Sequence, residues 1–220
     1  MRFRRRSSGE VEAVDPDQAE GAEQAPAAEV SDPRAEGPWD SSEVTLDPDD
    51  PTKVDLGGLV VTGTPGLELQ LQVDEATGSV SGVVLAGEEG AVELRPFAAP
   101  RNGDIWADLR RAIAADVAQH GGTADDAEGP WGHELRVVMP VQLPDGQSAT
   151  QPSRVLGIQG PRWLLRATLF GKPALEPAED GEVETALREV VVVRGNDPLP
   201  PGEPLPMRVP PNAQRIDPGQ

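Results

Sequence analysis

Leu67-Glu68-Leu69-Gln70-Leu71-Gln72-Val73 alternates apolar and polar side chains without a break. Successive side chains of an extended chain point to opposite faces, so a period of two predicts a half-buried strand. Asp74-Glu75-Ala76-Thr77-Gly78 follows as a turn. Ser79–Ala86 then supplies Val80, Val83, Val84 and Leu85, and Gly87-Glu88-Glu89-Gly90 turns the chain into a third strand, Ala91–Phe97. Three strands joined by short turns form an antiparallel meander.

The period changes after Phe97. Ile105, Leu109, Ile113 and Val117 fall four apart, with Trp106 and Ala112 beside them and Asp108, Arg110, Arg111 and Asp116 between them. This spacing predicts an amphipathic helix, capped by Asn102 or Asp104 and ended by Gly121-Gly122. Thr123–Gly132 reads as an acidic loop. Strands resume at Glu134–Val141, Arg154–Gln159 and Arg162–Phe170, with turns at Pro144-Asp145-Gly146 and Gly160-Pro161. A second helix is expected near Gly181–Arg188 and a last buried strand at Val190–Val193. The expected class is α+β: a largely antiparallel sheet of about six or seven strands with two helices, carrying a disordered acidic N-terminal arm and a Pro-rich C-terminal tail.

Composition sets the arm and tail apart from the domain, expected over residues 53–195. Residues 1–52 carry 14 acidic and 5 basic side chains and few large apolar ones. Such a segment buries too little apolar surface to offset chain ordering at about 1–2 kcal/mol per residue. Residues 196–220 hold Pro198, Pro200, Pro201, Pro204, Pro206, Pro210 and Pro211, which favour an extended path and include PxxP spacing.

The chain has no Cys, no Tyr and only His120 and His133, while its net charge is −19. Thiol catalysis, disulfides and Cys-ligated zinc are excluded. The charge disfavours nucleic acid and anionic lipid as partners, including binding of nucleic acid through an Arg4–Arg6 tip. That tip resembles the start of a signal peptide, but no apolar segment follows it, and no membrane span is visible. The expected location is the cytoplasm. Asp47, Asp49, Asp50 and Asp55 mimic a calcium loop but lack its glycine and its final Glu. No metal and no cofactor is expected.

Candidate ligand-binding residues are the strand arginines Arg95, Arg136, Arg154, Arg162 and Arg166, together with Trp131 and His133. Sheet pairing can gather guanidinium groups into a fork for carboxylate or phosphate, or disperse them in cross-strand pairs with Glu on a solvated face. Trp131 follows Gly129-Pro130 in an expected loop, where an exposed indole makes a binding anchor. Trp106 and Trp163 are read as core. His133 has neither a nucleophile nor an orienting acid at readable spacing, so no catalytic residue is assigned.

Four stretches also carry a family resemblance: Arg95-Pro96-Phe97-Ala98-Ala99-Pro100-Arg101 running into the Trp106 helix, Gly132-His133-Glu134-Leu135, Gly160-Pro161-Arg162-Trp163-Leu164-Leu165-Arg166, and Val190-Val191-Val192-Val193-Arg194-Gly195. Over about residues 45–210 the chain resembles an uncharacterised actinobacterial family, domain-of-unknown-function family 3710. The resemblance implies a compact α+β domain and a GC-rich source, in keeping with 17 Arg against 2 Lys. It implies no activity, cofactor or catalytic residue.

The sequence therefore points to a non-enzymatic binding or regulatory protein that works through contacts with a protein partner. The alternative is an anion- or nucleotide-handling small-molecule binder or hydrolase that uses the arginine cluster.

Overall fold

The period-two stretch at 67–73 forms an edge strand of a seven-stranded antiparallel sheet in the computed structural model, which describes residues 32–210. In chain order the strands are β1 (Trp39–Asp40), β2 (Lys53–Asp55), β3 (Leu59–Thr62), β4 (Glu68–Val73), β5 (Val80–Ala86) and β6 (Gly90–Ala98). Helix α1 (Trp106–Gln119) leads to β7 (Thr123–Gly129), β8 (Gly132–Gln142), β9 (Ser148–Gly160) and β10 (Trp163–Gly171). The chain closes with the single turn α2 (Lys172–Leu175), helix α3 (Glu182–Arg188) and β11 (Val191–Val192). The class is α+β, as the sequence predicts.

The large sheet runs β4-β5-β6-β10-β9-β8-β7. Two meanders, β4–β6 and β7–β10, are linked by α1 and join where β6 pairs with β10, from Trp163 opposite Ala98 to Gly171 opposite Gly90. This register fixes both faces. Leu94, Leu156, Leu165, Ala167 and Leu169 pack against α3 and a second, smaller sheet through Leu59, Val61, Leu187 and Val192. On the opposite face Leu135, Val137, Val155 and Leu164 pack under α1 through Trp106 and Val117. Apolar burial at about 25 cal/mol per Å² makes these two layers the main source of stability.

The smaller sheet, β1-β11-β3-β2, differs from expectation. Its strands are two to four residues long, too short for an alternation to register. It draws part of the expected arm into the fold, because Trp39-Asp40 lies parallel to Val191-Val192. The basic tip Arg4–Arg6 and residues 1–31 lie outside the described residues.

Thr123–Gly129 is a correction: it is the edge strand β7, not part of a loop. Its Asp125, Asp126 and Glu128 hid the strand, since charges depress strand propensity, yet charged side chains suit an exposed edge. Of the Pro-rich segment, the stretch around 202–208 lies against the domain, while residues 211–220 lie outside the described residues. β5 pairs with β6 only from Ala91 to Leu94, which leaves the backbone of Pro96 and Ala98 free. Leu205 N–H donates to Pro96 O at 2.9 Å, and Ala98 N–H donates to Glu203 O at 2.8 Å. Leu205 is buried beside them.

Candidate functional site

Asp104 precedes helix α1, and its Oδ1 accepts the backbone N–H of Trp106 at 2.8 Å. This cap satisfies a free donor of the first turn and fixes where Trp106 and Arg110, one turn apart, emerge. The Trp106 indole lies over Gly157 of β9, where a Cβ would collide with the ring. Its Nε1–H donates to His133 O at 2.6 Å, latching the β7–β8 hairpin to the helix.

A cleft of about 210 Å³ opens there, rimmed by Arg34, Asp104, Arg110 and His133 over Trp106 and Trp131. Arg110 Nε lies 2.9 Å from Asp126 Oδ1 in an ion pair, but its Nη1 is buried without a hydrogen-bond partner. His133 Nδ1 is 3.0 Å from Glu128 Oε1, with both side chains largely exposed. Arg34 forks onto Glu43 at 2.9 and 3.0 Å and stacks over Trp163 at 5.3 Å. That fork, joined by the Asp40 N–H, holds the Glu43 carboxyl below its ordinary range.

Two of the residues singled out by sequence, Trp131 and His133, meet at this cleft. Trp131 needs correction, because it is buried rather than exposed, at 8%. Its Nε1–H donates to Gly37 O at 3.1 Å and the Arg188 guanidinium lies over its ring at 5.4 Å. The turn that carries it folds back onto the small-sheet side, so its indole packs instead of projecting.

The five strand arginines do not form one cluster. Arg154 and Glu134 make a buried bidentate pair at 2.7 and 3.0 Å between the sheet and α3, with Glu184 at 4.0 Å. Arg136 stands opposite Arg154 across β8 and β9, exposed and 3.6 Å from the same Glu134. Arg162 occupies the β9–β10 turn with φ 63°, and its carbonyl accepts from Ala99 N–H at 2.8 Å and Arg194 Nε at 3.1 Å. Arg95 and Arg166 form a separate pair, directly opposite each other on the α1 face. Burial first, and then the Arg95 charge, lowers the Arg166 pKa from the ordinary arginine value.

Arg34, Arg110 and Glu184 escaped the sequence reading. For Arg110 a signal existed: it lies four residues after Trp106, on the same helix face. Arg34 gave none, because the chain places it only through β1. Among the described residues, no three His, Cys, Asp or Glu side chains converge as a metal site, and no helix is long and apolar enough to cross a membrane.

No curated protein matches the chain. The family described as Protein of unknown function (DUF3710) matches residues 37–215. The chain belongs to that family, DUF3710, over most of its length.

Proposed function

We propose that this protein acts by binding a protein partner that presents an acidic side chain, received in the cleft between the start of α1 and the β7–β8 hairpin. The observation that carries the reading is Arg110 Nη1, buried and unpartnered at the cleft. A buried polar group without a hydrogen bond costs about 1–3 kcal/mol, more when charged, and a partner's carboxylate that draws the guanidinium out into the cleft removes that cost. His133 at the rim and the Trp106 indole beneath add a second polar contact and an apolar floor.

We also infer a cytoplasmic protein from a GC-rich actinobacterium. The absence of Cys supports the first part, and 17 Arg against 2 Lys the second. The test is a quantitative native pull-down with wild type, Arg110→Met and His133→Ala. A partner retained by wild type and lost from Arg110→Met, with an unchanged melting temperature, supports the reading. Equal retention by all three overturns it.

A further inference from the structure

A second recess lies on the same sheet face but further along α1. It has a volume of about 370 Å³ and is lined by Ala112, Ile113 and Asp116 of α1 and by Val155, Arg166 and Thr168 of β9 and β10. It shares no lining residue with the Trp106 cleft. Its size lies near the lower end of small-molecule sites.

The charges around it are unevenly matched. Arg95 and Arg166 face each other across β6 and β10, and one carboxylate, Glu93, serves both. Arg95 takes most of it: its Nε donates to Glu93 Oε1, and its Nη2 donates to Gln72 Oε1 at 2.9 Å. Arg166 Nη2 is left 3.6 Å from Glu93, beyond good hydrogen-bond reach, and makes no side-chain hydrogen bond among the described residues. Its guanidinium stacks over Phe97 at 5.8 Å, which fixes the plane of the fork. Thr168 stands two residues along the same strand, so its side chain shares that face.

We propose that this recess binds a small monocarboxylate with a short aliphatic body. Arg166 supplies the bidentate fork, the Thr168 hydroxyl adds a donor, and Ile113, Ala112 and Val155 form the apolar wall. Glu93 and Asp116 flank the recess and select against a dianion, so a carboxylate is favoured over a phosphate. Arginine suits this role better than lysine, because the planar guanidinium matches both carboxylate oxygens at once.

The experiment is a titration of the full-length chain, labelled at Ile and Val methyls and Trp indoles, with hexanoate and separately with inorganic phosphate, followed by NMR. Saturable shifts at Ile113 and Val155 are expected with hexanoate and none with phosphate. Arg166→Lys keeps the charge but loses the fork, and is expected to weaken hexanoate at least tenfold. Thr168→Val, which leaves the arginines in place, is expected to weaken it less. No shift with hexanoate, binding unchanged in Arg166→Lys, or equal shifts with phosphate overturns the proposal. Shifts confined to the Trp106 indole also overturn it, since the ligand would then occupy the other cleft. Because the partner-binding reading is measured at Arg110, the failure of either leaves the other standing.

Discussion

The indole N–H of Trp163 donates to Asp40 Oδ2 at 2.7 Å, and both residues are buried although 123 positions separate them. Asp40 lies in β1 and Trp163 opens β10, so this bond ties the smaller sheet to the centre of the larger one. Asp40 Oδ1 also accepts Ser42 N–H at 2.9 Å, so one carboxylate both orders the turn after β1 and closes the contact between layers.

Removing that acceptor leaves a buried indole N–H without a partner. Hydrogen bonds to charged groups contribute about 1.5–3 kcal/mol. Asp40→Ala is expected to lower stability by about that amount, and Asp40→Asn, which keeps an oxygen acceptor, by less. Urea unfolding midpoints at neutral pH decide the order, and equal losses would remove the hydrogen bond as the cause.

Arg154 and Glu134 form the most deeply buried ion pair among the described residues, at 2% and 1% exposure. Breaking such a pair from one side strands a charge and costs about 3–5 kcal/mol, whereas replacing both partners with apolar side chains costs far less. Arg154→Met and Glu134→Leu are therefore each expected to be severely destabilising, and the double variant milder than either. A double-mutant cycle in urea measures the coupling. Losses that simply add would mean that the two charges act independently.

Gly157 is occupied by the Trp106 ring, and Gly160 by the ring of Trp163. Gly157→Ala places a Cβ inside the space of the Trp106 ring, so the indole must move and the latch to His133 O must weaken. Overpacking of this kind costs about 1–3 kcal/mol. The measurement is the Trp106 indole resonance together with the unfolding midpoint. An unmoved indole would show that the backbone yields instead of the ring.

The Glu43 carboxyl is held low first by the Arg34 fork and then by the Asp40 N–H. A carboxyl whose folded pKa lies below its unfolded one contributes stability above the unfolded value, and that contribution disappears as pH falls through the folded value. Glu43→Gln is thus expected to lose stability at neutral pH and to show a flatter fall of stability on acidification below the ordinary glutamate range. Unfolding midpoints from neutral pH down into that range provide the check, and parallel curves for the two proteins would contradict it.

How much of this was legible beforehand follows from the range of each interaction. The strands at 67–73, 79–86 and 91–97, the helix at 105–119 and the helix near 181–188 are visible because the periodicity of their side chains is a local property of the chain. β7 was not legible, since its acidic residues suit an edge position that only its pairing with β8 creates. Nor was the burial of Trp131, whose indole is claimed by Gly37 and Arg188, far away in sequence.

The amino-acid order alone determined the α+β class, the strands of the first meander, β8 to β10 of the second and the apolar stripe of α1, because a period of two or of 3.6 is carried by neighbours. Tertiary structure alone decided which arginines meet. The β6–β10 register sets Arg166 against Arg95 beside one shared carboxylate, the β8–β9 register buries Arg154 with Glu134, and the packing of α1 on the β7–β8 hairpin leaves Arg110 Nη1 unpaired. Charge pairing acts across strands and layers, so its outcome depends on register and packing that no single stretch of the chain contains.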